Sequence, residues 1–301
     1  MNNKQHYIAG VIAFVIWGFF SIPLRALQQY PAGQILFFRI SFSLAILLAI
    51  VFGFKREDLR AELKKLRTFT TPQRNRTIFL TLIGGALLTV NWLVFIYIVN
   101  NINVKTASFS YLVCPVITAV LGFILIKERL TTQQWLAVGL CALSCLLIGL
   151  NSATELGYSV LTAFTYALYL VSQRRNQGFD RIITLAIQVL FSFLILCSFF
   201  NVLVDSVPSS GRFYWVIVLI AALFTVLPLF LNLYALNKIS AATVGILMYI
   251  NPILNFSVAF IVFKETINLL QVCGYMIIVV ALFIFNFSNL KRVHVAIKMK
   301  P

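Results

Sequence analysis

The chain has 301 residues, of which 61% are hydrophobic and 11% charged, with a formal net charge of +16. Soluble domains carry about 25% charged residues, so this composition excludes a water-soluble enzyme or nucleic-acid-binding domain. The basic residues sit mostly between apolar runs, which makes the charge a matter of membrane orientation and not of nucleic-acid recognition.

A spanning helix takes roughly 20 mainly apolar residues, and such runs fill nearly the whole chain. The runs are continuous and not alternating, which predicts helices and not barrel strands. The first predicted span, 7–24, holds Trp17 and Pro23 and is followed by no small-x-small cleavage pattern, so it reads as a retained helix. The second, 33–53, carries Arg39 inside it. The loop from Lys55 to Arg76 places Leu59, Leu63 and Leu66 on one helical face among Lys, Arg and Glu. This predicts a short amphipathic helix on the cytoplasmic surface, drawn to anionic lipid. The third span, 77–98, contains Gly84-Gly85-Ala86, which permits close helix approach, and Asn91-Trp92. The fourth, 106–126, contains Tyr111 and Pro115. Spans at 133–150, 156–173, 182–204, 213–235, 241–263 and 268–289 complete ten.

The five cysteines lie in apolar runs and the only histidines, His6 and His294, are at the two ends, so no disulfide framework, metal site or cofactor is expected. With the N-terminus inside, 19 Lys and Arg fall in inside segments and four (Arg25, Lys105, Arg212 and Lys264) outside. Both termini are therefore expected to be cytoplasmic, in a bacterial-type inner membrane.

The chain also repeats itself. Shifted by 137 residues, positions 97–134 match ten times, among them Asn100 with Asn237, Pro115 with Pro252, Lys127-Glu128 with Lys264-Glu265, and Gln134 with Gln271. A unit of five spans is odd, so the two copies would cross the bilayer in opposite directions, as in secondary transporters. The expected architecture is one all-α membrane domain, 1–301, of ten transmembrane helices in two inverted five-helix repeats, 1–150 and 151–301.

Arg39 is the leading candidate site residue: a guanidinium at that depth needs a cavity or a partner. It either binds a carboxylate or phosphate, or snorkels to headgroups or bonds to carbonyls of a broken helix. No Asp or Glu lies in the middle of a span, which argues against a proton relay and leaves Arg39 without an acidic partner. Pro23, Pro115, Pro228 and Pro252 lie within spans and predict helix kinks, of which Pro115 and Pro252, as repeat mates, are expected to face each other at the substrate site. Asn91, Trp92, Tyr111, Asn232, Tyr249 and Asn251 supply polar and aromatic groups at membrane depth, as cavity lining or as glue between helices.

Trp17-Gly18 with Pro23, Phe38-Arg39-Ile40-Ser41, Asn91-Trp92, Ala107-Ser108 with Tyr111 and Pro115, and Lys127-Glu128-Arg129-Leu130 with Trp135 together resemble the drug/metabolite transporter superfamily, EamA-type carriers, and the RarD branch in particular. The resemblance covers essentially the whole chain. It implies a ten-helix carrier with a central cavity that also takes in Trp17, moving small metabolites or amphipathic compounds, often outward. Cys114-Pro115 departs from the Asn-Pro that the second copy keeps in Asn251-Pro252. No paired intramembrane aspartate, H-E-x-x-H helix or Ser/His arrangement supports an enzyme. The expectation is therefore a secondary transporter of a small molecule by uniport or exchange, of open oligomeric state; the alternative is a membrane sensor or scaffold without transport.

Overall fold

The computed structural model describes residues 4–127, 130–176, 179–236 and 247–298, which are helical almost throughout, with no strand among them. Glu128, Arg129, Asn237, Lys238, Ile239 and Thr243, all part of the charge count or the repeat, lie outside the described residues. The helices are α1 (Lys4–Gly18), α2 (Ser21–Arg25), α3 (Ala32–Phe54), α4 (Arg56–Thr68), α5 (Thr71–Asn101), α6 (Val104–Ile126), α7 (Thr132–Asn151) and α8 (Ala153–Arg175). They continue with α9 (Arg181–Ser198), α10 (Phe200–Leu203), α11 (Gly211–Leu219), a π-helical segment (Ile220–Val226), α12 (Leu227–Leu236), α13 (Ile250–Ile261) and α14 (Leu269–Lys298). Six stretches among them are long and apolar enough to cross a membrane: Lys4–Arg25, Ala32–Phe54, Thr71–Asn101, Val104–Leu125, Arg181–Ser198 and Gly211–Asn232. Large apolar side chains such as Phe54, Trp215 and Phe283 point outward and are exposed, which suits a lipid-facing surface and not a water-facing one. The chain is a multi-pass membrane protein.

Several spans that the hydropathy pattern draws as single helices are interrupted, and prolines explain where. A helical proline leaves the carbonyl four residues earlier without its donor. Before Pro23 the first span breaks at Phe19–Phe20, and the Phe19 carbonyl accepts instead from Ile22 N–H (3.1 Å). Before Pro252 a turn at Met248–Tyr249 precedes α13, and the Met248 carbonyl accepts from Asn251 N–H (3.2 Å). Pro252 thus sits in the first turn of α13. Before Pro228 the backbone widens into the π-helical segment. Pro115, by contrast, lies inside an α6 that continues to Ile126.

The helices pack as α1 on α12 and α13, α3 on α9 and the π-helical segment, α5 on α8 and α9, α6 on α8 and α13, and α7 along α14. One core runs from Phe20 and Ile35 to Phe213 and Phe224, and a second from Phe109 and Val116 to Ile278. Cap pairs recur at the helix starts. Thr131 and Gln134 hold each other at the start of α7, as Asn268 and Gln271 do before α14. Lys127 (φ 60°) and Lys264 (φ 52°), 137 positions apart, are the two non-glycine residues in the left-handed region among the described residues. Both follow a helix end, where that conformation lets backbone N–H groups turn back to late carbonyls.

The amphipathic helix predicted between Lys55 and Arg76 is α4, with one correction to its face. Leu59, Glu62, Leu66 and Phe69 are half-buried against the body of the protein, whereas Leu63 is exposed. The reason is the tether. Asp180 N–H donates to Glu62 Oε1 (3.1 Å), Lys55 Nζ donates to Asp180 Oδ2 (2.5 Å), and Phe179 meets Phe69 edge-on. These contacts rotate the helix so that the stripe through Glu62 faces inward.

Asp180 also caps α9, accepting from Ile182 N–H (2.9 Å) and Ile183 N–H (3.1 Å). Burial alone raises the Asp180 carboxyl, but the bonds from Lys55 and the two amides outweigh it and hold it below the usual value of 3.8. Lys55 is raised in turn: burial lowers it, and its bonds to Asp180 and Asp58 win. Asp180 therefore contributes stability that is fully present above its unfolded value and is lost as pH falls through its lower folded value. Asp180→Ala is expected to cost about 1 kcal/mol through the lost cap, and Asp180→Asn clearly less, in thermal unfolding of the detergent-solubilised protein at neutral pH.

Candidate functional site: an aromatic cavity around Arg39

Arg39 lies on α3, is 2% exposed, and does not snorkel. Its Nε donates to Thr225 Oγ1 (2.9 Å) in the π-helical segment. Its guanidinium is held between two rings, 4.8 Å from the centre of Phe20 and 5.0 Å from that of Trp92. Cation–π contacts of this kind contribute about 2 kcal/mol each when desolvated, which offsets part of the cost of a buried cation. Its Nη1 has no hydrogen-bond partner. Neither sequence-based structural role, headgroup contact or carbonyl binding, describes this arrangement.

The π-helical segment makes the arrangement possible. Thr225 Oγ1 donates to the carbonyl of Ile220, five residues back (3.0 Å), which leaves its lone pairs for Arg39. The Phe224 carbonyl, the one that Pro228 cannot satisfy in α geometry, accepts from Trp17 Nε1 (3.1 Å). Proline, π-turn and tryptophan thus form one device, and π-turns inside α-helices frequently mark functional sites. Trp17→Phe keeps the ring but removes the donor. It is expected to destabilise by about 1–3 kcal/mol, the cost of an unpaired buried acceptor, read as a lower Tm without loss of helix content.

Around Arg39 is a small cavity of about 60 Å³. Its walls come from Phe14, Trp17 and Phe20 at the α1–α2 junction, Asn91, Trp92 and Phe95 of α5, and Tyr111 of α6. Tyr166 and Tyr169 of α8, Phe224 and Thr225, and Met248 with Asn251 ahead of and in α13 complete them. The rings form a continuous chain, Phe20 on Phe95 (5.7 Å), Phe95 on Tyr111 (5.5 Å), Tyr111 on Tyr166 (5.9 Å). Asn91 donates Nδ2 to the Thr162 carbonyl (2.8 Å), tying α5 to α8, while its Oδ1 is buried without a partner. Asn251 Oδ1 is also buried and unpartnered. Among the described lining residues Arg39 is the one ionised group, with no Asp, Glu or His beside it. The cavity therefore offers one free cationic donor, two free amide acceptors and an aromatic wall.

Arg39, Trp17, Asn91, Trp92, Tyr111 and Asn251 are thus brought together. Pro115, Pro252, Asn232 and Tyr249, expected in the cavity, do not line it. Their place along the helices is close to the cavity, but their azimuth is not. Pro115 is one turn beyond Tyr111, Pro252 is a step of about 100° round the helix from Asn251, and Tyr249 packs against the second core. Asn232 lies three residues past Leu229, the last α12 residue that reaches the cavity.

A family model described as the EamA-like transporter family matches residues 5–150 and again 154–287. The chain belongs to the EamA-like transporter family. Within it, the chain is RarD-like. It is 26% identical over 290 residues to Protein RarD of Escherichia coli K12, covering 94% of each chain. It is 27% identical over 292 residues to the uncharacterized transporter YojE of Bacillus subtilis, covering 96% of each. A solved crystal structure, 13% identical, aligns with a TM-score of 0.63 over 95% of this chain and 99% of that one, which shows a shared fold alone. The membership makes this a membrane transporter, and the transporter-named relatives point away from catalysis.

Proposed function

We propose that the chain is a carrier of ten spans in two oppositely oriented five-helix halves, 1–150 and 151–301, which moves a small molecule bearing an anionic group by uniport or exchange. The reading rests on one observation above all: Arg39, buried with an unpartnered Nη1, is the one cation among the described residues lining its cavity, and no carboxylate is among them. A buried charge left part-satisfied is costly, and a ligand anion is the partner that would complete it. The two-fold match of the family model and the paired left-handed lysines support the repeat. The inverted sense rests on the odd span count. The cavity walls come from both halves, as a site at a repeat interface requires.

In the same reading both termini are cytoplasmic in the inner membrane. The exposed Arg56, Arg60, Lys64 and Arg67 of α4 then lie against anionic headgroups, each worth about 1 kcal/mol near such a surface.

Counterflow in proteoliposomes tests the carrier reading. With a panel of amino acids, other small carboxylates, nucleobase-like compounds and chloramphenicol, at least one labelled anionic or zwitterionic compound should accumulate against its unlabelled form. Proton ionophores should leave this accumulation unchanged. Uphill uptake driven by a pH gradient alone would overturn uniport and exchange, and no counterflow from well-folded protein across the panel would overturn the carrier reading for these classes.

A further inference from the structure

The short helix α2 stands between two spaces. On one side lies the Arg39 cavity, with Phe20, the residue just before α2, as the ring over Arg39. On the other is a more open vestibule of about 460 Å³, lined by Ile22, Arg25 and Gln28 together with Asn103, Phe263 and Glu265. The Arg39 cavity, at about 60 Å³, has room for a few waters and is too small for a metabolite as it stands.

α2 is severed from α1 at Phe19–Phe20 and held down by ties to the other half of the chain. Ser21, fully buried, donates Oγ to Asn255 Oδ1 of α13 (2.8 Å). Arg25 Nη2 donates to Glu265 Oε1 (3.1 Å), and its guanidinium lies 5.2 Å from the centre of the Phe263 ring. Glu265 is the shared point. Its Oε1 also accepts from Val104 N–H (2.7 Å) and its Oε2 from Lys105 N–H (3.0 Å), the first amides of α6. A carboxylate there is favoured by the unpaired amides and the positive end of the helix. Lys105 Nζ returns to the Thr266 carbonyl and Gln271 Oε1, and Glu155 of α8 accepts from Asn103 Nδ2 and Thr106 Oγ1. One carboxylate, Glu265, therefore joins α2, α6 and the α13–α14 link.

We propose that α2 is the outer gate of the transport path, that Glu265 is its latch through Arg25, and that the vestibule is the outer waiting room for substrate. The proposal rests on the carrier reading above and on the Lys and Arg distribution for which side is outside. The polar ties to the other half are the Ser21–Asn255 bond and the contacts of Arg25 with Glu265 and Phe263; Leu24, fully buried, seats α2 in the first core, and Gly18, at the end of α1 and against Leu254, marks the hinge. When Arg25 leaves Glu265, its freed guanidinium faces the vestibule and an arriving anion, and Phe20 lifts away from Arg39.

The test needs no substrate. A cysteine at Leu229, which lines the Arg39 cavity, is placed in the full-length chain with the five native cysteines replaced. It is then labelled with a membrane-impermeant maleimide in right-side-out and inside-out vesicles. From the outside, Glu265→Gln and Arg25→Gln are expected to speed labelling at least tenfold, and Glu265→Asp to restore slow labelling in part. A Ser21→Cys/Asn255→Cys pair bridged by a short bifunctional thiol reagent should abolish outside labelling of that position when the bridge is formed first, and cleavage of the bridge should restore it. Unchanged labelling in folded Glu265→Gln and Arg25→Gln proteins overturns the gate, and a rise confined to inside-out vesicles overturns its sidedness. Faster outside labelling in a protein that shows no counterflow keeps the gate and sinks the carrier reading instead, so the two failures are distinct.

Discussion

Arg39→Met is expected to cut substrate exchange by one to two orders of magnitude while leaving the folded protein as stable as the parent or more so. The guanidinium is 2% exposed, lies between Phe20 and Trp92, and has a single hydrogen bond, from Nε to Thr225, with Nη1 left over. A buried charge so incompletely paired is weak evidence for stability, and apolar replacement of such groups is often neutral or stabilising. A hydrogen bond to a charged group contributes about 1.5–3 kcal/mol, so losing the anchor for a ligand anion lowers exchange by roughly 10- to 150-fold. Arg39→Lys should recover little, because an ammonium neither presents a flat face to two rings nor reaches Thr225 with a planar fork. Thr225→Val, which leaves the guanidinium free to turn, should cost less than either. Counterflow for exchange and thermal unfolding for stability, on the same preparations, separate the two roles. A variant that loses its Tm along with its activity makes Arg39 a structural residue.

The sequence signals for this site differ in kind. Arg39 was legible because a cation in an apolar run is costly wherever it lies. Its partner was not. Thr225 is 186 residues away and reaches it from a π-helical turn, which no hydropathy period encodes. Phe20, Phe95, Tyr166 and Tyr169 were hidden for the opposite reason: in spans this apolar, an aromatic ring is ordinary and carries no contrast. Asn232 and Tyr249 show the limit of reading depth without azimuth. The helices themselves were legible to within a few residues where one hydropathy run is one helix, as for α3, predicted at 33–53 and found at 32–54, and α6, predicted at 106–126 and found at 104–126. The breaks before Pro23, Pro228 and Pro252 were flagged by residue type, but their form was not, because it depends on which donor takes the freed carbonyl. For Phe224 that donor is Trp17, 207 residues distant. On α4, leucine identity suggested one stripe, and the ties of Lys55 and Glu62 to Asp180 selected another.

Gly85→Ala is expected to destabilise the protein by about 1–3 kcal/mol, the usual cost of overpacking, and Gly84→Ala by much less, although the two are adjacent. The sequence already marked Gly84-Gly85-Ala86 as a place for close approach, and the structure shows what approaches. A methyl group at Gly85 would lie 2.8 Å from the backbone oxygen of Gln188 and 3.3 Å from its Cα, so α9 as a whole must move. At Gly84 it would meet the Nε2 atoms of Gln173 and Gln188 at 2.5 and 2.6 Å, the ends of long side chains that can shift without moving a helix, at the cost of the bond from Gln173 to the Leu80 carbonyl. Moving α9 away from α5 also strains Ser192, whose Oγ donates to the Gly85 carbonyl (3.1 Å). Because α5 carries Asn91, Trp92 and Phe95 into the cavity, the displacement is felt at the site, and exchange should fall with Tm in Gly85→Ala but stay near the parent value in Gly84→Ala. Thermal unfolding and counterflow of the two single variants decide it. Equal losses in both would mean that the α5–α9 contact yields where the geometry says it cannot.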